Sequence, residues 1–579
     1  MGNILTDRAT ASGARGGGTA QVRRLWSLPY AVHVAALATI LLAVLVVIRP
    51  HIAYSSDEGA AILQARLLRS TGHWLINDPV ARLDPKALAR PIPRADVGVK
   101  GRAPYGKHPF YPLVLLAASW LVGPVGYLLV SVLGTVAAAA AAGVLARRLD
   151  PLLDRPVLWA VGVVSPLWFD SFWVIAHSLA AGTGAVGVLF LVWGVEAAGV
   201  RRFASFVGAA VAVAATAALR SEGLVLAIAI AIGAGAWAVV AKAITPLGAA
   251  VAALAGGAAT RLVERHTSTA ILGAGSQPVG VPGAGMSFVS ARIDAFRSTI
   301  IHPAYGTDRQ ALILVAGALA LLLGAVVARR TGSARVITDA AIAATLLYAA
   351  WAVVGLRTPI PGLLVACPAA GAAAICFDIE ALRRPIGALL TVTVVVGAGA
   401  VLATEYYYGG GVEWGGRFFA IFWPLAVPPL AFGVLRLPGP QRRALLTGIV
   451  GTGLALAVTG VVSFHQVHRS SQETSDAVER CAREAGPPGS PLLDSRPLAV
   501  STDRLLPQID WGTFDRYEWL NPDVGDLGPY MARVRSAGVQ RLVLATLIPK
   551  QELPQPGYRQ VASCPAGPGF TVVVLQAVP

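Results

Sequence analysis

Charge is scarce in this sequence of 579 residues: Asp, Glu, Lys and Arg make up 13% of it, against roughly 25% in ordinary soluble domains. With 55% hydrophobic residues and a mean hydropathy of +0.63, such a chain has too little polar surface to enclose one water-soluble core, and a lipid environment is the simplest cause. Cysteine is rarer still. The four cysteines and nine histidines form no cluster at zinc spacing, which argues against a structural zinc domain. There is no GxxxxGK[ST] segment and no GxGxxG between a strand and a helix, so ATP-driven or nucleotide-sugar chemistry in the cytoplasm is not expected. Acid is also short, with 31 acidic against 47 basic residues and a formal charge of +16. The arginines are dispersed in pairs between apolar runs rather than gathered in a stripe, which is a topology signal and excludes nucleic acid as the expected partner.

What is present is a succession of apolar runs. Residues 1–24 are rich in Gly, Ala, Ser and Arg with no apolar face, and read as a disordered cytoplasmic tail. The run from Trp26 to Ile48 is long enough to cross about 30 Å of hydrocarbon, and Arg23 and Arg24 place its start inside. If Arg147-Arg148, Arg201-Arg202, Lys242, Arg329-Arg330, Arg383-Arg384 and Arg442-Arg443 are also cytoplasmic, later spans fall near 126–147, 156–173, 178–198, 203–219, 222–241, 243–259, 310–328, 338–356, 359–377, 385–403, 418–436 and 444–464. That makes about thirteen helices in a mainly α, polytopic membrane domain over 25–464. The run Pro109 to Val122 is short for a span, and counting it would invert every later basic pair. It reads as an interfacial or re-entrant helix on the outer face.

The long segments, at about 49–125, 260–309 and 465–579, then all lie outside, so chemistry is expected there. In the first, Asp57 and Glu58 stand together directly after helix 1, with Ser55 or Ser56 able to cap the helix behind them. A capping acid pair on a surface helix is the plainer reading; the catalytic one gains from its company. Lys107-His108-Pro109, Arg220-Ser221-Glu222-Gly223 and Glu413-Trp414-Gly415-Gly416-Arg417 all map to outer helix ends. An isolated Arg at a helix end is ordinarily a snorkelling anchor, and Arg220 beside Glu222 reads equally as an intramembrane ion pair. The Gly-rich stretch 273–285 has the composition of a mobile lid, and Tyr406 to Tyr408 that of an interfacial aromatic belt.

The Asp57-Glu58 loop, the segment Lys107 to Leu113 and the Trp414-Gly415-Gly416-Arg417 run together resemble the type C (GT-C) glycosyltransferase superfamily, membrane enzymes that move a sugar from a polyprenyl phosphate to an acceptor outside the cytoplasm. Lys107 to Leu113 is similar to the Lys-Pro-Pro-Leu turn of the protein O-mannosyltransferase and lipid A aminoarabinose transferase branch, with His108 standing where that branch has its first Pro. The resemblance covers most of the chain. It implies an inverting reaction in which Asp57, or alternatively Glu58, acts as general base. It further implies that Lys107, His108, Arg220, Glu222, Trp414 and Arg417 surround the donor, with Trp414 as a sugar contact and the cations on the phosphate. No cofactor is required for such a reaction; a divalent cation at Asp57 and Glu58 is the one metal these residues leave open. The partners implied are a polyprenyl-phosphate sugar, a glycan, lipid or protein acceptor, and membrane lipids. The high ratio of Arg to Lys suggests a bacterial genome and hence the bacterial cytoplasmic membrane, N-terminus inside. A non-catalytic envelope assembly protein, a flippase or a transporter is the competing class, although no paired repeat of the transporter kind is visible.

From about His465 the composition turns to Pro, Asp, Arg and Ser between short strand-like runs such as Arg541 to Thr546 and Phe570 to Val578. Helices are expected at 477–485 and 527–537, giving a small extracytoplasmic α/β domain over 465–579. It holds Cys481 and Cys564, and an oxidising compartment predicts a disulfide between them.

Overall fold

A computed structural model describes residues 27–48, 53, 55–75, 83, 105, 108–272, 287–301, 308–330, 335–355, 360, 362–404, 414–485, 496–503, 506, 516–548, 557–567 and 569–579. Lys107, Glu413, the tyrosines 406–408, the glycine-rich stretch 273–285 and the tail 1–24 lie outside them.

The chain is a mainly α, multi-pass membrane protein carrying a small C-terminal α/β domain. Among the described residues, ten helices are long and apolar enough to cross a bilayer, against about thirteen expected from hydropathy. Three expected spans account for the difference. The interval 156–173 is built from a helix Asp154–Trp159, a π turn Ala160–Val164 and a single turn Leu167–Asp170. Ser165 is extended at ψ 162° because the ring of Pro166 disfavours the helical region for the residue before it. The interval 359–377 splits in the same way at Cys367, before Pro368, into Leu363–Ala366 and Pro368–Ile375. The third lies in the helix Arg335–Gly355, of which Ala341–Val353 is an apolar stretch among the described residues.

The short run after Pro109 forms the helix Phe110–Val122. Gly123, at φ +70°, and Pro124 turn the chain into the helix Gly126–Leu149. A side chain on Gly126 would lie 2.4 Å from the carbonyl oxygen of Ala118, so glycine is what lets the two backbones meet there. One contiguous core joins these helices, with Trp173, Tyr111, Phe172 and Phe464 among its largest fully buried side chains.

The last long apolar helix, Gly439–Ala485, has 47 residues and therefore a length of roughly 70 Å. It leaves the apolar bundle without a break at His465 and ends inside the C-terminal domain. There it packs on a five-stranded sheet of β1 (Leu498–Ser501), β2 (Glu518–Leu520), β3 (Arg541–Thr546), β4 (Tyr558–Cys564) and β5 (Thr571–Ala577), in the order β2-β1-β3-β5-β4. β1 runs parallel to β2 and β3, and β5 antiparallel to β3 and β4. Alternation along β3 sends Leu542 and Leu544 to one face and Val543 and Ala545 to the other. The helix Leu527–Ser536 covers the first face. Ala477, Val478 and Cys481 of the long helix cover the second.

Cys481 is bonded to Cys564, with their Cα atoms 5.8 Å apart and 83 positions between them in sequence. Non-reducing peptide mapping is expected to recover the two as one linked pair. Reduction is expected to lower the domain's stability by about 4 kcal/mol, the chain-entropy scale for a loop of this length; both recovered as free thiols from unreduced protein would contradict this.

Candidate functional site

The site starts at the helix Ser56–Thr71, and its first turn explains why two adjacent acids have different fates. Ser55 caps the helix from an extended conformation. The Glu58 amide donates to the Ser55 hydroxyl at 3.5 Å, and the Ser55 amide donates to Glu58 Oε2 at 2.7 Å, which is a reciprocal capping box. Glu58 Oε1 accepts a third bond, from the Val174 amide at 2.6 Å. With both oxygens on backbone donors and 2% exposure, Glu58 is a structural acid that pins the helix start to the segment before helix Ala176–Glu196. Asp57 points elsewhere: its side chain is 29% exposed and its Oδ2 lies 3.4 Å from Arg417 Nη1.

Arg417 is delivered by a tight turn. Gly415 and Gly416 have φ of +68° and +65°, and the Gly415 amide donates to the Ile360 carbonyl at 2.8 Å. A side chain on Gly416 would stand 3.0 Å from Leu363 Cβ as well as in the left-handed region, so the Gly-Gly pair is a geometric requirement of this turn. The same turn folds Trp414 inward. Its ring stacks on Phe169 with centroids 4.1 Å apart and is 1% exposed, so the structure places Trp414 in the packed core behind the turn.

Arg220 and Glu222 lie between the helices Gly199–Leu219 and Glu222–Ala241. Arg220 Nε donates to Glu222 Oε2 at 3.1 Å, its Nη2 bonds to Oε1, and the Ser221 hydroxyl adds a bond to Oε2 at 3.1 Å. Glu222 is buried. Gly223 makes the junction compact, because a side chain there would lie 2.5 Å from Ala217 Cα. The Arg417 and Arg220 guanidinium groups stand 4.8 Å and 5.9 Å from the ring centroid of Phe418, so two cations share one aromatic ring. Asp57, Arg220, Glu222 and Arg417 thus come together from three distant stretches of chain.

A residue that sequence reasoning missed joins them. Tyr105 is half-buried against Ala60 and Leu63, its amide donates to Gln64 Oε1 at 3.4 Å, and its hydroxyl senses the charges of Asp57, Arg220, Arg417 and Glu222. Burial, reinforced by the Asp57 carboxylate, pushes the phenol well above its usual value, so it remains a neutral hydrogen-bond donor. Phe418 was also missed, although adjacency to Arg417 was a usable signal. His108 goes elsewhere: its Nδ1 lies 2.5 Å from Glu264 Oε1, on the helix Pro246–Leu272, with Arg261 Nη1 3.5 Å from the other oxygen of that carboxylate. Its partner is therefore Glu264, not a member of the Asp57 group. Among the described residues no three His, Cys, Asp or Glu side chains converge as a metal-binding set.

An apolar cavity of about 500 Å³ opens beside the Arg417 turn, walled by Ile300, Leu363, Cys367, Val394, Trp423 and Leu430 among others. Leu363 is shared between this wall and the floor under Gly416.

No protein-family model and no curated protein matches the chain. Among solved structures it is similar to ArnT from Cupriavidus metallidurans in the apo state, at 13% identity and a TM-score of 0.47, over 93% of this chain and 97% of that one. ArnT from the same organism bound to undecaprenyl phosphate is similar over the same shares, at 17% identity and a TM-score of 0.42. The archaeal oligosaccharyltransferase AglB from Archaeoglobus fulgidus, in complex with an inhibitory peptide and a dolichol-phosphate, is similar over 88% of this chain and 69% of its own, at 12% identity and a TM-score of 0.46. At these identities and scores no residue role passes from either protein to this one; what they share with it is a similarity that runs through most of the chain.

Proposed function

We propose that this chain is a membrane glycosyltransferase that moves a sugar from a polyprenyl-phosphate donor to an extracytoplasmic glycan, lipid or protein acceptor in the bacterial cell envelope. The observation that carries the proposal is the Asp57–Arg417 pair, with Arg220 near the same Phe418 ring and an apolar cavity beside the Gly415-Gly416 turn that delivers Arg417. A carboxylate next to cations, next to room for an isoprenoid chain, supplies the three things the reaction needs.

Asp57 accepts the proton of the acceptor hydroxyl as its oxygen bonds to the anomeric carbon. The bond from that carbon to the donor phosphate breaks, and the electron pair leaves with polyprenyl phosphate. Attack from the face opposite the leaving group inverts the anomeric centre. Arg417 and Arg220 stabilise the charge that grows on the phosphate, and the neutral Tyr105 hydroxyl is a further donor available to it. The reaction balances without a cofactor. Tyr105→Phe is expected to lower transfer by about tenfold, the worth of one hydrogen bond, while donor affinity measured separately stays the same. An unchanged rate would remove Tyr105 from the reaction.

The basic pairs at helix ends support an orientation with the site and the C-terminal domain outside and the N-terminus inside. Reporter tags after Arg148, Arg202, Arg330 and Arg443 are expected to read as cytoplasmic, and one at Pro579 as external. A cytoplasmic C-terminus would move the site to the wrong side of the membrane for this chemistry. The function itself is tested by mass spectrometry of envelope glycans and polyprenyl-phosphate sugars in cells lacking the protein. The expected result is one polyprenyl-phosphate sugar accumulating while one envelope sugar is lost. Unchanged pools of both would count against transfer.

A further inference from the structure

The first outer segment begins with Asp57 and ends with Tyr105 and His108, and between them it reaches into a different domain. Leu83 is 1% exposed and belongs to the hydrophobic core of the C-terminal sheet, in one cluster with Leu498, Val500, Leu520, Leu527 and Met531. The hydroxyl of Tyr530 donates to the Leu83 carbonyl oxygen at 3.5 Å, a bond between residues 447 positions apart. A leucine from a loop, fully removed from water inside another domain's core, is an anchor: it leaves only when that core opens a cavity.

The two sides of this anchor have different duties. One is the covalent continuation of the Ser56–Thr71 helix, whose Asp57 lies against Arg417, and of Tyr105, which packs on that helix at Ala60 and Leu63. The other is a domain held to the bundle by the single long helix Gly439–Ala485 on the opposite face of the sheet. The sheet is therefore gripped on one face by the helix and on the other by the first outer loop.

We propose that Leu83 is a positioning residue: seated in the C-terminal core, it couples the placement of that domain to the loop that carries Asp57 and Tyr105, so that the base is held in place only while the domain is docked. The catalytic half of this inference rests on the transferase reading above; the docking half does not.

The test compares Leu83→Ala with Leu83→Met and with Val574→Ala in the full-length protein in detergent. Val574 lies in the core on the other face of the sheet, so its truncation loosens the domain without touching the loop. Hydrogen exchange read on peptides covering Ser56–Thr71 is expected to quicken on the order of tenfold in Leu83→Ala, to stay at the unmodified rate in Leu83→Met, and to be unaffected in Val574→Ala. In transfer assays Leu83→Ala is expected to lower kcat on the order of tenfold with the donor KM unchanged, and Leu83→Met to restore it. Unchanged exchange over Ser56–Thr71 in Leu83→Ala, or an equal rise in Val574→Ala, would overturn the coupling. Absence of transfer by the unmodified protein would sink the transferase reading instead, and the exchange result would still decide whether the loop is docked.

Discussion

Asp57→Asn is expected to lower sugar transfer by about two to four orders of magnitude, the usual scale for loss of a general base, while the protein folds and binds donor as before. Asn keeps the volume of Asp but cannot take up the acceptor's proton, and its removal of a negative charge 3.4 Å from Arg417 leaves that guanidinium no less available to phosphate. Glu58→Gln should behave in the opposite way. Glu58 accepts from the Ser55 and Val174 amides, and an amide nitrogen in place of one oxygen would face a donor with a donor. A loss of about 1–3 kcal/mol in stability follows, read as a lower unfolding temperature, with the rate per folded molecule nearly preserved. If Glu58→Gln abolished transfer in folded protein and Asp57→Asn did not, the roles of the two acids would be reversed.

Arg220→Ala is expected to destabilise the protein by about 3–5 kcal/mol, because it strands the buried Glu222 carboxylate without its cation. The pair closes the junction between two helices where Gly223 lets their backbones touch, so the damage should appear in unfolding as well as in transfer. The double variant Arg220→Met with Glu222→Gln removes both charges and is expected to recover most of the stability while transfer stays low, since a phosphate ligand is still missing. Thermal unfolding in detergent separates the two. A single Arg220→Ala variant as stable as the unmodified protein would show that Glu222 is not held by this pair.

Much of the site was visible as chemistry before it was visible as geometry. Asp57, Arg220, Glu222 and Arg417 are charged residues at the ends of apolar runs, and in a chain with so few charges each one stands out. Their convergence follows because helix ends share one face of a bundle. Asp57 was preferred to Glu58 on the resemblance, and the spacing carried a second signal: Ser55 and Glu58 stand three apart, the capping-box interval, which ties the second acid to the backbone. An aromatic beside a glycine turn and an arginine has the composition of a sugar site, while the left-handed turn at Gly415 and Gly416 carries the Trp414 ring into the core against Phe169. Tyr105 and Leu83 left no local signal, since what makes them matter is far away in sequence: the charges of Arg220 and Arg417 for the one and Tyr530 for the other. Hydropathy does not register that Ser165 and Cys367 each precede a proline and leave the helical region, so two of the expected spans are not continuous helices.

The most direct measurement is release of polyprenyl phosphate from purified protein given a panel of polyprenyl-phosphate sugars and cell-envelope acceptors, run side by side with Asp57→Asn and with donor binding measured on both. The expected result is consumption of one donor by the unmodified protein, a product of inverted anomeric configuration, and binding without turnover by Asp57→Asn. Consumption of that donor at the same rate by both proteins would contradict a reaction driven from Asp57.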